Sequence, residues 1–218
     1  MLPETLRVLY LHGFASSPGS RKARFFVERL SAMGIAVEVP DLAEGDFRHL
    51  TITGQLRLLE RSLARQPAIL IGSSLGGYLA ALYAARHTEI VKLVLLAPAF
   101  RLYDLWSEEL GPDRIAGWKL RGSIPVFHYG IGKDTEIGFQ FLEDAQRYES
   151  FPNFLQSALI VHGNQDPVVP VKQSATFAES HKNVRFVRLD TGHELTDVLP
   201  AVWEESRNFL FDESNRVE

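Results

Sequence analysis

The sequence contains no cysteine, so disulfide bridges, thiolate metal sites and cysteine nucleophiles are excluded together. It also lacks a large charge of one sign. The formal net charge is -4 with acidic and basic residues interspersed, which leaves no electrostatic footprint for nucleic acid. No apolar run approaches the roughly 20 residues of a membrane span. The N-terminus lacks the basic flank, long apolar stretch and small-residue cleavage site of a secretory signal. These absences lead us to expect a cytoplasmic protein with no membrane span and no nucleic-acid partner. Gly-Lys-Ser/Thr and Gly-x-Gly-x-x-Gly are missing too, which removes phosphate-loop and dinucleotide readings. No histidine pair has metal-ligand spacing, so no metal is expected.

What is present is an ordinary globular composition: 45% hydrophobic and 23% charged over 218 residues, enough for one domain with a large core. Short apolar runs alternate with helical-period segments, the pattern of a buried parallel sheet covered by helices on both faces. The runs predict strands over 6–12, 35–40, 68–72, 91–97, 158–162 and 184–189. Helices are predicted around Ala23, Phe26, Val27 and Leu30, with Ser20 as N-cap and Gly34 as the C′ residue. Others follow at Ile52, Leu56, Leu59 and Leu63, directly after Ser74, over 171–181 behind Pro170, and over 197–211. Between Pro98 and the strand at Ala158 the chain runs far longer than a crossover needs. This stretch is rich in aromatics (Phe100, Tyr103, Trp106, Trp118, Phe127, Tyr129, Phe139, Phe141). A hairpin of 123–129 with 135–139 and a helix over 139–149 are expected in it. We read the whole chain, 1–218, as a single domain with a cap insertion at approximately 101–150. Its aromatics either line an apolar pocket or pack the cap onto the core.

The strongest chemical signal is Gly72-Ser73-Ser74-Leu75-Gly76-Gly77, set between an apolar strand and a small-residue helix. A serine on so sharp a turn is thrust out of the sheet, and the close backbones demand glycines on either side. The flanking residues select Ser74 over Ser73, because Ile71 and Leu75 stand where Ser73 would need glycine. A serine hydroxyl needs a base and an orienting acid. The chain supplies them in the order Ser…Asp…His, each just past a predicted strand: Asp166 in His162-Gly-Asn-Gln-Asp166-Pro, and His193 in Asp190-Thr-Gly192-His193. Asp190 and Asp197 are rival acids, but the first is too near His193 and the second reads as a helix cap. His162 reads as a core histidine, and His49, His87, His128 and His181 as solvated ones. The N–H groups of Leu75 and Phe14 are the expected oxyanion donors, with Gly13 freeing the loop to turn and His12 bracing it.

These motifs, together with His12-Gly-Phe-Ala-Ser-Ser-Pro-Gly-Ser-Arg-Lys-Ala, resemble the small YqiA/YcfP-like esterases of the α/β-hydrolase superfamily. The resemblance implies an α/β-hydrolase fold of about six mostly parallel strands, beginning at the strand before the oxyanion loop. It also implies a cofactor-free serine carboxylesterase or thioesterase, with Ser74, Asp166 and His193 as triad and Phe14 and Leu75 as oxyanion donors. The expected partner is a small-molecule ester or thioester. Peptidase, carbon–carbon hydrolase or perhydrolase chemistry on the same triad remains open, as does a non-catalytic binding role.

Overall fold

In the computed structural model of the protein, which describes residues 6–211, the apolar runs become a six-stranded, wholly parallel sheet. The chain begins with β1 (Arg7–Leu11), α1 (Arg21–Ser31) and a two-residue β2 (Val37–Glu38), then a 3-10 turn at Phe47–His49. It continues through α2 (Ile52–Leu63), β3 (Ala68–Ser73), α3 (Leu75–Ala84) and β4 (Ile90–Leu96). The insertion follows as α4 (Leu102–Arg121), β5 (Ser123–His128), β6 (Lys133–Gly138) and α5 (Gln140–Ala145). The sheet resumes with β7 (Ser157–Gly163), α6 (Val171–Ser180), β8 (Val184–Leu189) and α7 (Leu199–Phe211). Fold class and strand number are as the sequence led us to expect, and every predicted strand is present with its ends moved by at most two residues.

The spatial order is β2-β1-β3-β4-β7-β8. After β1 the chain steps outward to β2, then returns across β1 to β3, so direction reverses between β1 and β3. The loops leaving these two neighbours part there and leave a crevice at the carboxyl ends, where open parallel sheets gather ligands. Alternate strand residues feed two cores. Val8, Tyr10, Ile69, Ile71, Val94 and Leu96 pack against α1 and α7, and Leu9, Leu11, Leu70, Leu93 and Leu95 face α2, α3 and the insertion. The small residues after Ser74 let α3 sink completely, and all ten of its residues are buried.

Local signals set the helix ends. Ser20 caps α1 by accepting the Ala23 N–H at 3.4 Å, and Gly34 (φ 76°) turns the chain out as Ile35 N–H reaches back to the Leu30 carbonyl. Pro170 stands just before α6 rather than in its first turn, and α7 begins two residues later than expected.

The insertion departs most from expectation. The hairpin exists, but pairs Ser123–His128 with Lys133–Gly138, and α5 is shorter than the predicted 139–149. The sequence reading assigns nothing to the region of α4. It holds two helical pieces joined at Gly111 (φ 71°, ψ 167°) before Pro112, and that dipeptide had masked the helical period. Packing accounts for most of the aromatics. Phe100 lies on Phe177, Trp106 on Trp118 and Phe141, and Phe139 on Trp118, while the Trp118 indole N–H donates to the Ile137 carbonyl at 3.1 Å. Only Phe127 and Tyr129 of this set turn outward, against each other. The Asp144 carboxylate ties the insertion to α2, accepting both the Thr53 N–H (2.6 Å) and its hydroxyl (2.7 Å). His128, expected to be solvated, is instead buried edge-on against Phe47 where the hairpin meets the β1–α1 loop.

Candidate active site

Ser74 stands at the turn from β3 to α3 with φ 53° and ψ -116°, a conformation that costs a non-glycine residue about 1–3 kcal/mol. Its surroundings enforce it. The Ser74 N–H donates to the Leu96 carbonyl (2.9 Å), and its own carbonyl accepts the N–H groups of Tyr78 (3.0 Å) and Ala99 (3.1 Å). A side chain at Gly72 would place Cβ 2.3 Å from the Gly76 carbonyl oxygen, and one at Gly76 would lie 2.1 Å from that of Leu11. Both glycines are therefore required by crowding. The second lets α3 press against the end of β1 and so brings the β1–α1 loop beside Ser74.

His193 and Asp166 converge on this serine. His193 Nε2 lies 3.1 Å from Ser74 Oγ, and His193 Nδ1 lies 2.7 Å from Asp166 Oδ2. With Nδ1–H donating to the carboxylate, Nε2 is left as the acceptor for the serine proton. The side chain of Asp166 is completely buried, and its Oδ1 accepts the N–H groups of Val168 and Val169, each at 2.8 Å. Burial works against its ionisation. The hydrogen bonds from His162, His193 and Val169 outweigh that cost and hold the carboxyl well below the usual carboxylate range. The rival acids face elsewhere: Asp190 accepts from the Gln165 amide (2.7 Å), and Asp197 accepts the Thr191 hydroxyl. Asp197 thus braces the His193 loop rather than serving only as a helix cap.

Two features of this centre were not read from the sequence. One is Gly163, where a Cβ would lie 2.3 Å from the Thr191 oxygen and 2.4 Å from the Gly192 oxygen. This crowding, with the Gln165 N–H donating to the Thr191 carbonyl (3.1 Å), zips the Asp166 loop to the His193 loop. The other is His162, buried as predicted but also touching the carboxylate, with Nε2 3.0 Å from Asp166 Oδ2. Its position four residues before the acid, at the end of β7, was the available signal.

On the opposite side of Ser74 runs the β1–α1 loop. Gly13 lies against the serine, since a Cβ there would sit 3.6 Å from that of Ser74. Its φ is not positive, so it supplies room rather than an unusual backbone. His12 braces the loop: its Nε2 accepts the Leu42 N–H (3.3 Å), which leaves Nδ1–H to donate to the Gly13 carbonyl (3.0 Å). Among the described residues, no backbone hydrogen bond within the protein engages the N–H of Phe14 or Leu75. The Phe14 ring is held by Phe47, Trp106 and Phe141 at centroid distances of 5.3, 5.1 and 5.3 Å. At the start of α1 the buried Lys22 ammonium approaches Glu194, the neighbour of His193, to 3.6 Å. Burial pulls its pKa down, and Glu194 and Asp166 partly restore it. A shallow groove of about 420 Å³ passes the other side of His193, walled by Gln165, Pro167, Val168, Gly192 and Leu195.

Among the described residues no cluster of three or more histidines and carboxylates is arranged to hold a metal ion, and no helix is long and apolar enough to cross a membrane. The sequence matches the family described as Uncharacterised protein family (UPF0227) over residues 7–208. The chain belongs to UPF0227. The YqiA/YcfP-like resemblance read from its motifs is therefore borne out. A monoacylglycerol lipase, abhd6-B of Xenopus laevis, is 29% identical over 178 residues, covering 75% of this UPF0227 chain and 49% of the lipase. The chain spans about half the length of that relative. Among solved structures, Est1E from Butyrivibrio proteoclasticus with bound ferulic acid superposes with a TM-score of 0.77 at 23% identity, over 95% of this chain and 91% of that one. The α/β hydrolase domain-containing protein 10 from mouse gives 0.77 at 19%, over 95% and 91%. Likeness at these identities establishes the α/β-hydrolase fold for this UPF0227 member.

Proposed function

We propose that the protein is a serine hydrolase that cleaves carboxylic ester or thioester bonds of a small molecule through an acyl-enzyme on Ser74. The observation that carries this reading is the unbroken hydrogen-bonded chain from Ser74 Oγ through His193 to Asp166, at 3.1 and 2.7 Å. His193 Nε2 takes the hydroxyl proton as Ser74 Oγ attacks the substrate carbonyl carbon. The oxygen becomes an oxyanion within reach of the Phe14 and Leu75 N–H groups, the second at the positive end of α3. The ester C–O or thioester C–S bond then breaks, and His193 returns its proton to the departing alcohol or thiol. Water, activated by the same histidine, attacks the acyl-enzyme, releasing the acid and restoring Ser74. No cofactor enters this chemistry.

The ester class draws support from the lipase name of the Xenopus relative and from the ferulic acid bound to Est1E. We read 1–218 as one domain in which residues at approximately 101–150 form the cap. We expect short to medium acyl chains to be taken beside the Phe14 ring, which Phe47, Trp106 and Phe141 hold in place. Hydrolysis of p-nitrophenyl esters of increasing acyl length by wild type and Ser74→Ala tests the reading. Turnover should peak at short to medium chains and fall by several orders of magnitude in the variant, with its circular dichroism unchanged. A fully active Ser74→Ala would end the proposal. A wild type inert to all esters, and unlabelled at Ser74 by a fluorophosphonate probe, would point to a non-catalytic role.

A further inference from the structure

The geometry points to His162 as a positioning residue for the reaction, acting through Asp166: its Nε2–H shares the carboxylate oxygen that serves His193, and so limits how strongly that oxygen holds a proton on the catalytic base. The inference rests on the triad reading above and extends it to a residue outside the three.

His162 is completely buried at the end of β7. Its Nε2 lies 3.0 Å from Asp166 Oδ2 and 2.9 Å from the Val169 carbonyl oxygen. Both are acceptors, so the hydrogen must reside on Nε2. Its Nδ1 lies 2.8 Å from the hydroxyl of Ser174, itself completely buried on α6, and that hydroxyl donates to it. Every polar atom of the ring is thereby used in the neutral state, with one tautomer fixed. Protonation would turn Nδ1 into a donor against a hydroxyl whose own hydrogen then has no acceptor.

Asp166 collects four donors on two oxygens: the amides of Val168 and Val169 on Oδ1, and the imidazoles of His193 and His162 on Oδ2. A carboxylate offers about four acceptor positions, so the group is saturated. The two amides hold it in place whether or not His162 is present. His162 therefore contributes charge compensation more than orientation. The other charges acting here are His193 itself, the Lys22 ammonium on α1 and the Glu194 carboxylate beside the base. Each donor on a shared oxygen weakens the other. With His162 donating, Oδ2 stabilises the His193 imidazolium less than it would with His193 as its sole donor.

The test follows both histidines by 15N NMR in the full chain, which needs no substrate. In wild type His162 should show the neutral Nε2–H tautomer at neutral pH. In His162→Met the His193 midpoint should rise by roughly half a pH unit to one unit. In His162→Gln, whose amide N–H can donate from the Nε2 position, it should return toward wild type. The acid limb of kcat/KM on p-nitrophenyl acetate should move with it. A His193 midpoint unmoved in folded His162→Met, even with reduced kcat, would leave His162 a purely structural role and overturn the inference. If His162→Met does not fold, an Nδ1–H tautomer of His162 in wild type overturns it instead. Absent ester turnover would defeat the hydrolase reading while leaving these NMR outcomes decisive.

Discussion

Gly163 and Gly192 stand on the two loops that carry the acid and the base, and replacing each by alanine should have opposite consequences. At Gly163 the new Cβ would meet two backbone carbonyl oxygens, at 2.3 and 2.4 Å, where real Cβ atoms essentially never come within 3.0 Å. Neither contact is the end of a flexible side chain, so the Asp166 loop and the His193 loop must part by about 0.7 Å, the difference between 3.0 and 2.3 Å. Overpacking of this kind costs about 1–3 kcal/mol. For a chain of this size that corresponds to a fall in Tm of about 2–4 °C per kcal/mol. The catalytic cost is larger, because a displacement near 1 Å is worth about 10²-fold in rate. At Gly192 the nearest atom to an added Cβ is the Gln165 oxygen at 4.0 Å, and φ is not positive. Gly192→Ala should therefore stay within about 0.5 kcal/mol of wild type and keep its activity. Thermal melts and kcat/KM on p-nitrophenyl acetate read both effects. A Gly163→Ala protein with wild-type Tm and turnover, or a Gly192→Ala protein equally damaged, would refute the claim that backbone crowding at Gly163 sets the Asp166–His193 distance.

Asp166→Asn should lower kcat by about 10³–10⁴-fold, because the two amides will claim its carbonyl oxygen and turn its NH₂ toward His193, forcing the proton onto Nε2. The same substitution carries a pH signature in stability. The folded carboxyl is held below its unfolded value, so its contribution is fully present above about pH 4 and is lost as pH falls toward the depressed folded value. Urea unfolding of wild type and Asp166→Asn should therefore diverge near neutrality and converge in strong acid; a gap independent of pH would contradict this. Asp144→Ala leaves the Thr53 N–H and hydroxyl without their carboxylate and should cost about 1–3 kcal/mol in urea unfolding, with Asp144→Asn milder. An unchanged midpoint would mean that the insertion is not anchored there.

The sheet and the candidate site were legible because each is written in residue type. β-branched and leucine runs alternating with helical-period segments point to a buried parallel sheet, and Ser74, Asp166 and His193 each follow a strand end. The insertion was not legible. Its helical period is cut at Gly111-Pro112, and its aromatics carry no face-specific spacing that separates lining from packing. His128 was misread for a similar reason: its sequence neighbours Phe127 and Tyr129 are exposed, and only the docking of the hairpin onto the Phe47 turn buries it.

Backbone strain shows the same limit from the other side. Ala15, Ser74, Ala97 and Leu195 all hold positive φ, at 50°, 53°, 45° and 55°, and they follow β1, β3, β4 and β8 at the carboxyl edge of the sheet. None is glycine, so no residue type announces them. Each costs of order 1–3 kcal/mol and persists only where neighbours over-determine it. Those neighbours are visible: Ala97 N–H donates to the Val161 carbonyl at 2.9 Å, Ser74 is held from both sides, and Leu195 is completely buried. Four strained loops along one sheet edge, beside glycines whose side chains would strike backbone, are not what stability alone selects. Two of the four loops carry Ser74 and His193, and the Asp166 loop after β7 reaches them with no positive-φ residue of its own, held instead by the crowding at Gly163. Positive φ also occurs at Glu44, Ala64, Arg65 and Arg101, so strain alone does not mark the site; at Ser74 it coincides with the crowding at Gly72 and Gly76 on either side.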